Sequence, residues 1–348
     1  MNIFLLILGF TLLAVTFVDA LWTTVIPRGA GPISSAVCRA ISALAKRTPH
    51  PLRRKLLPVA GSVSMLVVIF GWVAMLWLGW WVLFCADPGS IVHTKTGVEP
   101  GHIDRAYFTG YTLFTLGLGD FVPKSSGWQL VTVVSSFSGL FLVTLSITYL
   151  LAGLSAAIQK RQLAAMIRDL GADPVSVLIE AWGDQGFDRL VGKFSSTLSP
   201  MIHLQAQRLL EYPVIHYFHS NKAEASLAIG IATLDEAFTM IAHAVAAEGR
   251  PHPSDILHAR RAIGSLLSML ESRYPRITCE NPPLPDVTRL AEAGIPLAHP
   301  DELEQAIADL SPRRRLLRSF VEDAGWQWQD VLTSNPYAAF KKRSRPVR

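Results

Sequence analysis

Charge is scarce in this chain. Only 17% of its 348 residues are Asp, Glu, Lys or Arg, and half are hydrophobic; an average soluble domain carries about 25% charged residues. The scarcity is local. No Lys or Arg precedes Arg28, and no charge of either sign falls within Leu56–Ala86 or Ser125–Gln159. Cysteine is equally sparse. Cys38, Cys85 and Cys279 are too few and too scattered for a disulfide framework or a zinc site. The chain has no nucleophile constellation, no phosphate-binding glycine loop and no internal repeat, so nothing in it points to an enzyme or to a bound cofactor. The segment 158–348 holds 22 basic and 22 acidic residues, without the basic excess of a nucleic-acid binder. The net charge of +5 comes from 1–157, with 10 basic residues against 5 acidic.

What is present is hydrophobic length. A helix crosses the hydrocarbon core with roughly 20 apolar residues. Leu56–Ala86 and Ser125–Gln159 each suffice, and Asn2–Val18 forms a shorter third run. The "VDA" at 18–20 offers small residues for signal cleavage, but the missing basic flank favours a retained span. Trp77, Trp80 and Trp81 cluster near the end of the second run and Trp128 opens the third, an aromatic belt at one interface. Residues 27–55 carry seven basic residues and no acid, and Lys160, Arg161 and Arg168 follow the third run. Positive charge marks the cytoplasmic side. The N-terminus is therefore expected outside, 27–55 inside, 87–124 outside and the C-terminal half in the cytoplasm. Arg53, Arg54 and Lys55 are candidates for anionic lipid at the inner leaflet.

Between the second and third spans, 87–103 reads as an irregular loop, and "DRAYFTGYTLF" follows. Asp104 is placed to cap a short helix, too short to cross. The next stretch, "TLGLGD" at 115–120, alternates glycine with other residues. Glycine reaches backbone conformations forbidden to its neighbours, and irregular backbone at membrane depth survives only where protein buries it or it lines a water-filled path. A row of carbonyls there can replace the hydration shell of a small cation. The C-terminal end of the short helix adds partial negative charge, and the Thr115 hydroxyl one more oxygen.

The stretch "DRAYFTGYTLFTLGLGDFVP" resembles the pore helix and selectivity filter of potassium channels, with their T-V-G-Y-G-D signature. The leucine between the glycines is closest to pore loops of the tandem-pore type. The resemblance covers about 56–160. It implies that the backbone carbonyls of Thr115, Leu116, Gly117 and Leu118 line the ion path, that Gly119 and Asp120 close its outer mouth, and that K+ is the permeant ion. It implies that Asp120 braces the filter by accepting a hydrogen bond from the pore helix; Tyr107 is the donor available where the family usually has Trp. Gly139 lies where the family carries an inner-helix hinge, although a small residue for close helix packing explains it equally. Val143 and Ile147 share its face and would line the inner cavity, with Phe141 and Leu145 facing elsewhere. One chain supplies one such loop, so a ring of carbonyls needs several copies; the family uses four, which implies a homotetramer. No span carries the Arg-rich pattern of a voltage sensor.

From about Gln159 the chain becomes polar, with apolar residues at helical spacing in 174–182, 187–211, 222–247, 254–273, 301–310 and 313–333. His216 and His219 are spaced for one helical face, with His203 and His243 elsewhere, but a metal needs more ligands than that, and none is expected beyond K+ in the filter. Asp235-Glu236 reads as a solvated face. The expected fold is an all-α membrane protein: an N-terminal span and basic loop over 1–55, a pore domain over 56–160 with outer helix, re-entrant pore helix and inner helix, a helical cytoplasmic domain over 161–340, and a disordered basic tail over 341–348. A weakly selective cation channel and a non-conducting membrane receptor or scaffold are the alternatives.

Overall fold

A computed structural model of the chain describes residues 1–26, 29–271 and 280–333, without the side chains of residues 50–54. Arg53 and Arg54 as lipid ligands, Cys279 and the basic tail therefore fall outside the described residues. The chain is an all-α membrane protein, 75% helical, with three helices long and apolar enough to cross a membrane. They are α1 (Ile3–Thr24), α3 (His50–Ala86) and α5 (Ser126–Arg168), with α2 (Pro32–Arg47) between the first two. The chain divides into two compact units. The first comprises 1–44, 60–154 and 211–214; the second comprises 45–59, 155–210 and 215–348.

In the first unit α1 runs antiparallel to α3. Asn2 N–H donates to the carbonyl of Ala86 at 2.6 Å, where α3 ends. Further along, a Cβ on Gly9 would meet Leu83, and one on Gly79 would meet Leu13, so paired glycines bring these helices close, as small residues do in membranes. At the other end Asp19, fully buried, accepts from Trp72 Nε1 at 2.8 Å and from Ile33 N–H at 2.8 Å, and also from the Ser34 hydroxyl. Its carboxylate thus caps α2 through the orphan amides of a helix N-terminus. The segment 27–55 is accordingly more than a basic loop. Ser34, Cys38, Ser42 and Ala45 form the buried stripe of α2, a polar, small-residue stripe that hydropathy does not signal.

The tryptophans expected at an interface have specific partners. Trp77 Nε1 donates to the carbonyl of Ala106 at 3.0 Å, Trp81 Nε1 to that of His102 at 2.9 Å, and Trp80 Nε1 to Ser138 Oγ at 2.9 Å. Indole N–H groups are rarely left unpaired when buried, and here they tie α3 to the short helix α4 (His102–Leu113) and to α5. The segment 87–103 is less irregular than expected. It contains β1 (Ile91–His93), paired antiparallel with β2 (Phe121–Pro123). Asp104 is not the cap of α4. Gly101 is, and Asp104 at the third helical position reaches back to the Gly101 N–H at 3.2 Å.

The second unit is built around α9 (Leu227–His243), buried on nearly every side. Against it pack α6 (Pro174–Ala181), α10 (Pro253–Glu271), α12 (Pro300–Asp323) and α13 (Gln329–Leu332). Shorter helices complete it: α7 (Asp188–Lys193), α8 (Ser199–Glu211), joined by a wide turn at Phe194–Leu198, and α11 (Thr288–Glu292). Two expectations are corrected. The helical spacing gives 301–310 and 313–333 as separate segments, yet α12 runs through Pro312 as one helix. Asp235 and Glu236 are not a solvated face. They are 0% and 1% exposed, because arginines of α10 and α12 reach them.

Candidate functional site

The first unit brings the quoted loop together with both long helices. α4 ends at Leu113, and the backbone then turns irregular. Over five residues the sign of φ alternates: Thr115 stands at 57°, Gly117 at 59° and Gly119 at 82°, with Leu116 and Leu118 between them on the negative side. Alternating hand stacks successive peptide planes with their carbonyls on one side, which a regular strand or helix does not do. Thr115 is the one non-glycine residue with positive φ among the described residues. A β-branched side chain there is a genuine outlier, and strain of about 1–3 kcal/mol persists only where the surroundings enforce it. Among the described residues no donor reaches the carbonyls of Thr115, Leu116, Gly117 or Leu118.

Behind this stretch the support is explicit. The Tyr107 hydroxyl donates to Asp120 Oδ2 at 3.1 Å. Tyr111 adds a second brace: its hydroxyl donates to the carbonyl of Phe121 at 2.7 Å and accepts from the Phe121 N–H at 3.3 Å. The amide of Leu116 bonds back to the carbonyl of Tyr111 at 2.8 Å, anchoring the start of the loop to the end of α4. Tyr111 is buried between Tyr107 and Phe108, edge to face with both. Its role was legible only as one of several aromatics spread along the helix.

Arg105 is a second residue that sequence reading passed over. Only 5% exposed, its guanidinium donates to the carbonyls of Phe84 at 2.7 Å, Asp87 at 3.1 Å, Pro88 at 2.7 Å and Pro100 at 3.2 Å, and to Ser90 Oγ at 2.5 Å. The carbonyls of Phe84, Asp87 and Pro88 lie at the C-terminal end of α3 and just beyond it, where orphan acceptors and partial negative charge gather, and that of Pro100 just before α4. Asp87 beside it accepts from Trp128 Nε1 at 2.9 Å, which holds its carboxyl below the ordinary range, helped by the Gly89 amide and by Arg105 against partial burial.

Gly139 is buried on α5 against α4. A Cβ there would stand 2.3 Å from the Leu113 carbonyl oxygen, so close backbone packing requires a residue without a side chain at this point. Val143 and Ile147 are exposed within the chain, at 36% and 53%. Phe141 stacks on Phe137 and also reaches Phe17 of α1; Leu145 is half-buried. Leu116 and Leu118 are exposed, at 65% and 54%.

Among its described residues the second unit offers no comparable site. His216 lies in a tight turn at Pro213–Tyr217 and His219 beyond it, so they do not share an α-helical face. Among the described residues no three His, Cys, Asp or Glu side chains are gathered to hold a metal.

Residues 63–155 match the ion channel family model. No solved structure matches the chain. A curated relative is the uncharacterized membrane protein YdjJ of Bacillus subtilis, 32% identical, with 97% of this chain and 99% of the relative aligned. The full-length likeness and the match over 63–155 lead to one assignment: the chain belongs to the YdjJ family of multi-pass membrane proteins and carries an ion-channel pore domain.

Proposed function

We propose that the chain is the subunit of a homotetrameric, potassium-selective channel conducting passively. The observation that carries this reading is the alternating φ over Thr115–Gly119, set between two membrane-length helices inside the segment that matches the ion channel family. In this reading the carbonyls of Thr115, Leu116, Gly117 and Leu118 coordinate K+ in place of water, and Gly119 and Asp120 form the outer mouth. Tyr107 braces Asp120. Val143 and Ile147 line the inner cavity, and Gly139 lets α5 lie against the end of α4. Four copies close the ring. No resident cofactor takes part.

The N-terminus and the pore loop lie outside. Two independent features support this: the seven basic residues in 27–55, and the bond between Asn2 and Ala86, which sets the N-terminus at the same end of α3 as the pore loop. The helical unit lies in the cytoplasm and modulates opening rather than conducting, since α5 belongs to both units. Lys55, with Arg53 and Arg54, meets anionic lipid.

One feature favours a weaker selectivity. Leu118 stands where the family's common filter has Tyr, and it forms no hydrogen bond; a neutral bond contributes about 0.5–1.5 kcal/mol net, and four subunits lack it. Purified protein in liposomes, with K+ and Na+ on opposite sides, tests the reading by its reversal potential. A potential near that of K+, sharpened or unchanged by Leu118→Tyr, is expected. Equal permeability promotes the weakly selective channel, and absence of flux promotes the receptor or scaffold.

A further inference from the structure

The outer end of the loop is held from outside as well as from behind. Beyond β1, Thr94 turns its hydroxyl onto the carbonyl of Gly119 at 2.5 Å and that of Asp120 at 3.0 Å. Its own N–H donates to the Asp120 carbonyl at 2.9 Å. Thr94 lies 25 residues before Gly119 in sequence, in a segment that composition marks only as a loop. Three features bring it there. β1 pairs with β2 in the register Ile91 to Pro123, Val92 to Val122 and His93 to Phe121, which leaves Thr94 next in line opposite Asp120. The His93 ring packs edge-on against Phe121, with centroids 5.3 Å apart. Arg105 pins the root of the same segment through the carbonyls of Asp87 and Pro88 and the Ser90 hydroxyl. The bridge from α4 through the extracellular segment to the filter exit is thus hydrogen-bonded at each step.

The consequence is chemical. A carbonyl that accepts a short bond from a hydroxyl directs one lone pair away from the path and offers less negative potential to a cation. Gly119 differs in this respect from the four carbonyls below it, to which no donor is directed among the described residues. We propose that Thr94 is a positioning residue for the filter. Its hydroxyl fixes the orientation of the Gly119 and Asp120 carbonyls and takes over part of the fastening that a filter tyrosine would supply at position 118. The inference rests on the reading of 115–119 as a K+ path for its functional meaning, but not for its structural content.

Two substitutions separate the hydroxyl from the bulk of the side chain. Thr94→Val keeps the branched shape and removes the donor. Thr94→Ser keeps the donor. In reconstituted channels under a sustained driving force, Thr94→Val is expected to speed the decay of K+ current and raise relative Na+ permeability. Each lost bond amounts to roughly three- to tenfold in an equilibrium, and raised external K+ should slow the decay by filling the outer site. Thr94→Ser is expected to behave as the parent. The companion measurement needs no conduction: amide hydrogen exchange over 115–121 in detergent-purified protein should quicken in Thr94→Val and not in Thr94→Ser. Absence of K+ flux in the parent overturns the channel reading and leaves exchange to decide on Thr94. Parent-like exchange in Thr94→Val, or equal quickening in both variants, overturns the role of the hydroxyl.

Discussion

Asp19 and Arg105 in the first unit are as deeply buried as Asp235 and Glu236 in the second, yet the two regions neutralise their charges by different means. Asp19 receives amides, a hydroxyl and an indole. Arg105 gives its protons to four carbonyls and a hydroxyl. Among the described residues neither forms an ion pair. In the second unit Asp235 lies between Arg260 and Arg313, and Glu236 is matched by Arg314 with nitrogen to oxygen distances of 2.7 and 3.1 Å. The difference follows from what each region has in surplus. A membrane unit is poor in charged side chains but rich in helix ends, whose unpaired amides and carbonyls carry partial charge. A helical bundle has charged faces and can turn two of them inward. Single charges at helix ends fix where segments begin and stop; paired charges fix which helix lies against which.

Removing Arg105 should have the largest effect. Arg105→Met takes the guanidinium donor from the carbonyls of Pro88 and Pro100 and leaves those of Phe84 and Asp87 with Ser90 alone, and hydrogen bonds to a charged group contribute about 1.5–3 kcal/mol each. A loss of about 3–5 kcal/mol is expected, read as a collapse in the yield of assembled protein and in its thermal midpoint in detergent. Arg105→Lys should recover only part, since a compact ammonium with three donors cannot span the five acceptors that a planar fork reaches. Full recovery by lysine would mean that charge rather than geometry holds the segment, and would erase half of the contrast between the units.

The paired charges should respond in another pattern. Arg314→Met strands Glu236 in the core and is expected to cost about 3–5 kcal/mol, whereas the double substitution Glu236→Met with Arg314→Met should return most of that. Burial pushes the Glu236 carboxyl up despite Arg314, so the single variant should suffer less in mildly acid buffer, where the stranded acid takes a proton. A double variant as unstable as the single one would show that Arg314 acts mainly through the carbonyls of Pro282 and Pro283, which it also reaches. The corresponding change in the first unit is smaller. Asp19→Asn retains one acceptor oxygen and sets an NH2 against donors, at about 1–3 kcal/mol. It should loosen α2 and α1 without abolishing assembly. Limited proteolysis after residue 26 is the readout, and an intact mass that includes α1 in the parent would show that the span carrying "VDA" is retained.

Much of this architecture was open to reading because lipid imposes simple rules. Long charge-free runs must be helices, and the glycines of "TLGLGD" stand where regular structure fails. What escaped was whatever depends on a partner far away in sequence. Asp19 looked like an interruption in an apolar run because Ser34 and Trp72 were not visible beside it. Asp235-Glu236 looked exposed because two adjacent acids on a helix usually are, and the arginines that bury them lie 25 and 78 residues on. The helical spacing lapses between 310 and 313, where Pro312 removes a helical bond; α12 accommodates it within one helix. β1 was invisible because three residues carry no period.

The smallest effect expected is that of pH on the second unit, where neighbouring groups carry opposite signs. Asp235 is held below its ordinary value of 3.8, because Arg260 and Arg313 outweigh the burial that would raise it. His243 is lowered from 6.5 by burial and by Arg260 and Arg250. For both, the unfolded chain takes the proton first as pH falls, so stability present above the ordinary value is lost on acidification. Glu236 is raised from 4.5. The folded chain takes that proton first, and stability is gained as pH falls toward 4.5 through the raised value. Between pH 7.5 and 6 the thermal midpoint should therefore decline through His243, and His243→Gln should flatten that arm. Nearer pH 5 the decline should ease in the parent as Glu236 is protonated, and Glu236→Gln should remove the easing while leaving the His243 arm in place. An arm unchanged by His243→Gln would place the titrating group elsewhere. An easing that survives Glu236→Gln would show that the Glu236–Arg314 pair stays ionised throughout, and the two halves of the molecule would then differ in the partners of their buried charges but not in how firmly those charges are kept.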